Sequence, residues 1–306
     1  MNTEDFRKHA HEVVDWIADF YADIESLPVK SQTKPGDVLE QLPAAPPDAG
    51  ESFDDLMKDF DDIILPGMTH WQHPSFFAYF PANGSYPSIL AEMLTAALGA
   101  QCMIWQTSPA AAELEERMMD WLKDMLELPR EWDGVIQDTA STSTLCALLS
   151  ARERATGYRS NEKGLTEYGP LTVYASGETH SSIEHGEKIA GVGNLNLRKI
   201  DTDADYAMIP EKLDEAIAAD LEAGLTPCCV VAAIGTTGST AIDPLKPIGV
   251  ICNRRGVWLH VDAALAGSSL VLPEMRWMIE GIEYADSFVF NPHKWLFTNF
   301  DCSAYF

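Results

Sequence analysis

From Pro129 onward the sequence alternates short apolar runs with helix-patterned stretches, and this alternation is what most restricts the folds open to it. The runs at 171–176, 196–200, 228–234, 257–262 and 286–290 have the length of strands. A strand covered on both faces reads as a continuous apolar run rather than as an alternation. Helical segments between such strands imply parallel crossovers, hence an α/β sheet. The clearest of these helices is 210–223, which opens on Pro210, carries acidic residues early and is followed by Gly224. A last run, 302–306, reads as one more strand. A sheet strand at the final residue predicts that the natural protein continues into a further domain.

Upstream the pattern differs. Phe6, Val13, Val14, Ile17, Phe20, Tyr21 and Ile24 recur at helical spacing over 5–26. The stretch holding Pro35, Pro43, Pro46 and Pro47 must be extended or turning. A second helix is expected over 52–64, capped by Ser52 and stopped at Pro66-Gly67, and further helices over 89–98 and 110–126. The expected division is a helical arm over 1–80 and a sheet domain over 81–306.

Composition excludes several classes of function. No apolar run approaches the roughly 20 residues that span a bilayer, and the acidic start lacks the features of a secretory signal. A formal net charge of -26 repels nucleic-acid backbones and anionic lipid. Six cysteines without a CxxC pair offer no tetrahedral zinc set and suit a reducing, cytoplasmic setting.

The residues that carry chemistry follow the predicted strands. Lys294 lies in Asn291-Pro292-His293-Lys294-Trp295, just after an apolar strand and among Phe288, Phe290, Trp295, Leu296 and Phe297. Partial desolvation there lowers an amine's pKa and makes it nucleophilic toward an aldehyde. Asp262 ends another strand, at the sheet edge where α/β proteins bind ligands, and could hold a pyridine nitrogen protonated. Its alternatives are a helix cap or, with His260, half a metal site, for which a lone HxD is too little. The run 137–142 (QDTAST) leads into an apolar helix, whose amides and hydroxyls could meet a phosphate or serve only as an N-cap. His180 follows the strand 171–176 and could stack on a ring or be purely structural. Gly235-Thr236-Thr237-Gly238 is either a cofactor-side turn or a plain one.

Taken together, the stretches FFAYFPANGSYPSILAEML, SPAAAELEERMMDWL, ETHSSIEHG, ICNRRGVWLHVDAALAGS and ADSFVFNPHKWLFTNFDCSA resemble the group II pyridoxal-phosphate decarboxylases, and within them the aromatic-L-amino-acid decarboxylases. The resemblance runs from the first helix to the last residue. It implies a fold-type-I large domain, with a mostly parallel central sheet flanked by helices behind an N-terminal helical arm. It also implies a homodimer acting on an aromatic amino acid, with pyridoxal 5'-phosphate as cofactor. By that resemblance Lys294 forms the Schiff base, Asp262 pairs the ring nitrogen, His180 stacks on the ring and Ala264 packs on its other face. Thr139, Ala140, Ser141, Asn291 and His293 match the phosphate pocket, and Thr237 and Asp243 match positions near the cofactor. Tyr79, Phe80 and Pro81 match the substrate-pocket segment, and Met103 and His180 stand at positions that line the same pocket. Ala82, Gln101 and Met103 depart from the animal enzymes, which bears on the substrate and not on the cofactor set. The family's proton-donor loop is expected beyond Phe306. A related aldehyde synthase, another amino-acid decarboxylase, or an inactive fragment acting only in dimerisation would share these residues.

Overall fold

The computed structural model describes residues 1–306, which form two compact units, Met1–Pro81 and Ala82–Phe306.

In the first unit, α1 (Thr3–Asp23) begins with a reciprocal cap. The Asn2 side chain accepts from the amides of Glu4 and Asp5, and the Asp5 carboxylate accepts from the Asn2 amide. The second helix has the extent the sequence pattern suggests but changes its winding part-way. Ser52 caps α2 (Phe53–Asp59) as expected, but the coil then widens over Phe60–Ile64, where the Leu65 amide reaches back to the Phe60 carbonyl, and tightens over Leu65–Gly67. The two helices meet through Trp16, whose ring stands edge-on to Phe60 at 5.2 Å and whose indole N–H donates to Asp61 at 2.9 Å.

The second unit runs α3 (Tyr86–Leu98), α4 (Pro109–Leu126), β1 (Val135–Gln137), α5 (Ala140–Ala155), α6 (Ser160–Lys163), β2 (Leu171–Ser176), α7 (Ser182–Ile189), β3 (Leu197–Ile200), α8 (Pro210–Glu222), β4 (Thr226–Ala233), α9 (Leu245–Arg255), β5 (Trp258–Asp262), β6 (Ser287–Phe290), α10 (Pro292–Trp295) and β7 (Ser303–Tyr305). Its seven strands lie in the order β1-β7-β6-β5-β4-β2-β3. Strands β2 to β6 are mutually parallel, and β7 is antiparallel to both β6 and β1. Two reversals restore direction, so β1 runs the same way as β6. The carboxyl ends of β1 to β6 therefore all open on one edge. This is the mostly parallel sheet flanked by helices that the sequence implies.

The strands expected from the sequence are present, 171–176 unchanged and the others with ends moved by at most two residues. Strand β1 went unanticipated because its three residues are too few to show a period, and Val135 and Ile136 stay 40% and 43% exposed. The crossover from β5 to β6 contains no α-helix, only tight turns at Ala266–Val271, Pro273–Ile279 and Ile282–Tyr284.

Side chains alternate across the sheet, which divides the core in two. Tyr174, Val230, Ala232, Leu259, Val261, Phe288 and Phe290 form the larger cluster on one face. Val173, Ala175, Cys229 and Val231 on the other pack under Leu148 and Ala151 of α5 and Ile183 of α7. Asp262 alternates onto the α5 and α7 side.

Candidate active site

Four successive structural choices bring the polar residues to the carboxyl edge. The first is the turn from β1 into α5. Thr139 adopts an extended conformation as N-cap, its hydroxyl taking the Thr142 amide at 3.3 Å and its carbonyl taking the Ser143 amide. A helix leaves its first amides without intrahelical acceptors. Here those belong to Ala140 and Ser141, at the positive end of a sixteen-residue helix, the arrangement that binds phosphate. The hydroxyl of the exposed Ser141 stands at the same end.

The second is the turn from β2 into α7, which carries His180. Its Nδ1 accepts from the Ser182 amide at 3.1 Å and lies 2.9 Å from the Ser182 hydroxyl. An accepting Nδ1 places the ring proton on Nε2, and the ring is open to solvent on this edge.

The third is the end of β5. Asp262 sits between Ala233 of β4 and Val289 of β6, and its Oδ1 accepts the Ala264 amide at 3.0 Å. That bond fixes the carboxylate and sets Ala264, half-buried, just beyond it. The self-capping alternative is thus present in the geometry and does not compete with a ligand role, since Asp262 is followed by no α-helix.

The fourth is the single turn α10 after β6, which holds Lys294. Burial lowers the Lys294 amine below its ordinary range, while the negative charge of Asp262 opposes this. The aspartate ends β5 and the lysine follows β6, its parallel neighbour in the sheet. Adjacent His293 is 1% exposed, and its Nδ1 accepts the Cys302 amide at 2.8 Å. Burial, then the Lys294 charge, pushes its imidazole down to about 4, so it is neutral and ties the lysine turn to the start of β7. Asn291 is 3% exposed, yet its carboxamide oxygen has no donor from the chain. Turned about its last torsion, the same group offers two donors.

Among the other residues matched to the site, Thr237 is exposed on its turn, whereas Thr236 is buried and accepts the Ala241 amide. Asp243 is 1% exposed and uses both oxygens inside the protein, on the amides of Met208 (2.7 Å) and Ala233 (2.8 Å). It fixes the end of β4 with both oxygens so engaged. Met103 is 73% exposed in the loop between α3 and α4. Tyr79, Phe80 and Pro81 belong to the first unit, where Tyr79 is 80% exposed, adopts φ 56° and stacks on Trp71 at 5.6 Å.

Sequence reasoning missed the brace on the lysine turn. Asn83 donates to the Lys294 carbonyl at 3.1 Å, Ser85 to the Phe297 carbonyl at 3.1 Å, and Asn299 to the Ser88 carbonyl at 3.1 Å. Ser85 is also the N-cap of α3, where Ser85 and Ser88 cap reciprocally. The signal was the Asn-Gly-Ser run before Tyr86-Pro87, legible as a helix start but not as a contact more than 200 residues away.

The residues fit a pyridoxal phosphate. A partly desolvated amine, a fixed carboxylate, an imidazole, a helix end with unused amides and an unsatisfied carboxamide share one edge. The comparisons agree. Residues 35–306 match the model of the pyridoxal-dependent decarboxylase conserved domain. The chain is 48% identical to phenylacetaldehyde synthase of Arabidopsis thaliana and 45% identical to aromatic-L-amino-acid decarboxylase of Mus musculus, in each case over 99% of its length. It spans 63% and 65% of the lengths of those two relatives. The crystal structure of Oryza sativa TDC with PLP and tryptamine superposes with a TM-score of 0.96 at 40% identity, covering all of this chain and 64% of that one. Fold, site chemistry and kinship point the same way, and pyridoxal phosphate is the cofactor they share: the chain belongs to the pyridoxal-dependent decarboxylase family.

Proposed function

We propose that the protein removes the carboxylate of an aromatic L-amino acid as carbon dioxide and releases the amine. The observation that carries this reading is the convergence of Lys294, Asp262, His180 and the α5 N-terminus on one sheet edge. Lys294 is the residue that would hold the cofactor's aldehyde, because burial has made its amine less basic and more nucleophilic than a surface lysine. Asp262, fixed by the Ala264 amide, would keep a proton on the ring nitrogen. His180 would lie against the ring, with Ala264 on the other side. Thr139, Ala140, Ser141 and Asn291 would take the phosphate, and His293 keeps the lysine turn in place through Cys302. Once bound, the cofactor supplies an electron sink for the bond that breaks. Substrate recognition by Tyr79, Phe80, Pro81 and Met103 belongs to the same reading.

We further propose that the protein works as a homodimer. Every residue from Leu90 to Thr107 is exposed, including Leu90, Met93, Leu94, Leu98, Ile104 and Trp105, an apolar surface of the kind that marks an interface. No helix is long and apolar enough to cross a membrane. The six unpaired cysteines suit a reducing compartment, and we place the protein in the cytoplasm on that ground.

The test is an absorption spectrum on adding pyridoxal phosphate to the purified protein and to Lys294→Ala. A visible band that needs Lys294 supports the reading; equal spectra overturn it. A second outcome, in which decarboxylation is coupled to oxidation by dioxygen and water to give the aldehyde, carbon dioxide, ammonia and hydrogen peroxide, is favoured by the 48% identity to phenylacetaldehyde synthase. Carbon dioxide forms on both routes, so product analysis separates them by amine against aldehyde, ammonia and peroxide.

A further inference from the structure

Two turns leave the carboxyl edge side by side, one after β2 with His180 and one after β4 with Thr237, and a series of hydroxyls joins them. Strands β2 and β4 are parallel neighbours whose last paired residues are Ala175 and Val231. Past that pair the two turns share no ladder. Glu178, half-buried two residues before His180, bridges them: its Oε2 accepts the Ser239 hydroxyl at 3.1 Å. The Ser239 oxygen lies 2.8 Å from the hydroxyl of Thr236, which is 2% exposed and accepts the Ala241 amide at 2.9 Å.

The ends of this series fix its hydrogens. An amide only donates, and an ionised carboxylate only accepts. Ser239 therefore gives its one hydrogen to Glu178 and takes the hydrogen of Thr236, so that each hydroxyl donates once and accepts once. Bonds aligned in this way polarise one another in the same sense. Each turn is also shaped from within. After β4, the Gly235 and Thr236 amides both donate to the Ala241 carbonyl, at 3.0 and 3.1 Å, and the Thr240 amide donates to the Thr236 carbonyl at 2.9 Å. After β2, the Thr179 hydroxyl donates to the Ser176 carbonyl at 3.0 Å, and the His180 carbonyl accepts the Ile183 amide at 3.1 Å. These bonds do not set one turn against the other. The bond between Glu178 and Ser239 does.

We propose that Glu178 is a positioning residue for His180. The Ser239 hydroxyl holds its carboxylate, and this bond, through the two residues that follow, sets where the imidazole stands relative to the Thr237 turn. The assignment rests on the reading of His180 as the group that lies against the cofactor ring, but its first test needs no cofactor.

Two substitutions separate the bond from the charge. Ser239→Ala removes the bond and keeps the carboxylate, whereas Glu178→Gln removes the charge and keeps an oxygen that accepts from Ser239. The first readout is the set of His180 ring signals in protein labelled with 15N-histidine, assigned with His180→Ala. They should shift in Ser239→Ala and stay close to their wild-type positions in Glu178→Gln. Signals that ignore Ser239→Ala, or that move as far in Glu178→Gln, overturn the proposal even if pyridoxal phosphate binds well.

The second readout is the dissociation constant for pyridoxal phosphate. Loss of one hydrogen bond predicts binding weaker by about 3- to 10-fold in Ser239→Ala, while Glu178→Gln should bind the anionic cofactor at least as tightly as wild type. In a His180→Ala background, Ser239→Ala should weaken binding by no more than about 2-fold further, because its effect passes through the imidazole. Losses that add in full, or a loss in Glu178→Gln equal to that in Ser239→Ala, would assign the bond to turn stability alone and overturn the proposal. A wild-type chain that takes up no cofactor would instead refute the reading of the site, while the His180 signals still decide the role of Glu178.

Discussion

Replacing Asp243 with asparagine should change how stability depends on pH more than it changes stability itself. Asp243 is almost wholly enclosed and accepts from the Met208 and Ala233 amides. Burial outweighs these two bonds and pushes its carboxyl from 3.8 up to about 6. A group whose pKa rises on folding holds its proton more tightly in the folded state. Its contribution to stability is therefore complete below about pH 4 and is lost as pH climbs through 6. At 1.36 kcal/mol per pH unit, the loss comes to about 3 kcal/mol. Asparagine has no proton to release, and its NH2 must face one backbone donor at a cost of about 1–3 kcal/mol. Wild type should thus exceed Asp243→Asn clearly at pH 4 and match or fall below it at pH 7.5. Urea unfolding of both proteins across that range measures the difference, and the other carboxylates cancel because both proteins have them. A difference that stays flat to within about 0.5 kcal/mol, or that grows as pH rises, would refute the reasoning.

Three further substitutions test the site and its supports. Asp138→Asn removes a carboxylate held low by the Thr142 hydroxyl at the N-terminus of α5, and should tighten pyridoxal-phosphate binding about 2- to 5-fold in a fluorescence titration; weaker binding would count against a phosphate at this helix end. Gly267→Ala would bring a methyl within 2.4 Å of the Phe290 Cβ and 3.1 Å of the Ala263 Cβ. It should cost about 1–3 kcal/mol in thermal unfolding, and an unchanged melting temperature would show that the turn yields freely. Leu94→Glu places a charge on the exposed face of α3, where Leu94 is 66% exposed, and should shift sedimentation at micromolar concentration toward monomer; identical profiles would place the interface elsewhere.

The strand runs were legible because burial on both faces imposes apolar composition residue by residue, as in Cys228 to Ala233. Lys294 and Asp262 were legible because each follows or ends such a run. What escaped was decided by partners remote in sequence. Nothing near Asn83 announces that it will hold the Lys294 carbonyl. The Asp243 carboxylate resembles any polar loop residue until Met208 and Ala233 close over it. His260 was read only as half of a weak HxD pair, since its neighbour Ser287 lies 27 residues away and becomes adjacent only through strand pairing. The helix expected over 52–64 is present, and only the widening of its second half at Phe60–Ile64 escaped, because periodicity does not distinguish a regular turn from a widened one.

The antiparallel strand β7 has a consequence in time as well as in space. Strand β1 borders the sheet and pairs with β7 alone. During synthesis, then, residues 135–137 wait for 303–305 before they have any neighbour to join. Until that closure β1 has no strand beside it, and the turn into α5 is held only from the α5 side, where Leu148 and Ala151 pack on the central strands. Contacts between such distant residues form slowly. A nascent chain should consequently fold its central strands before β1 finds its partner, so that a cofactor bound at the α5 end does not guide the assembly of those central strands.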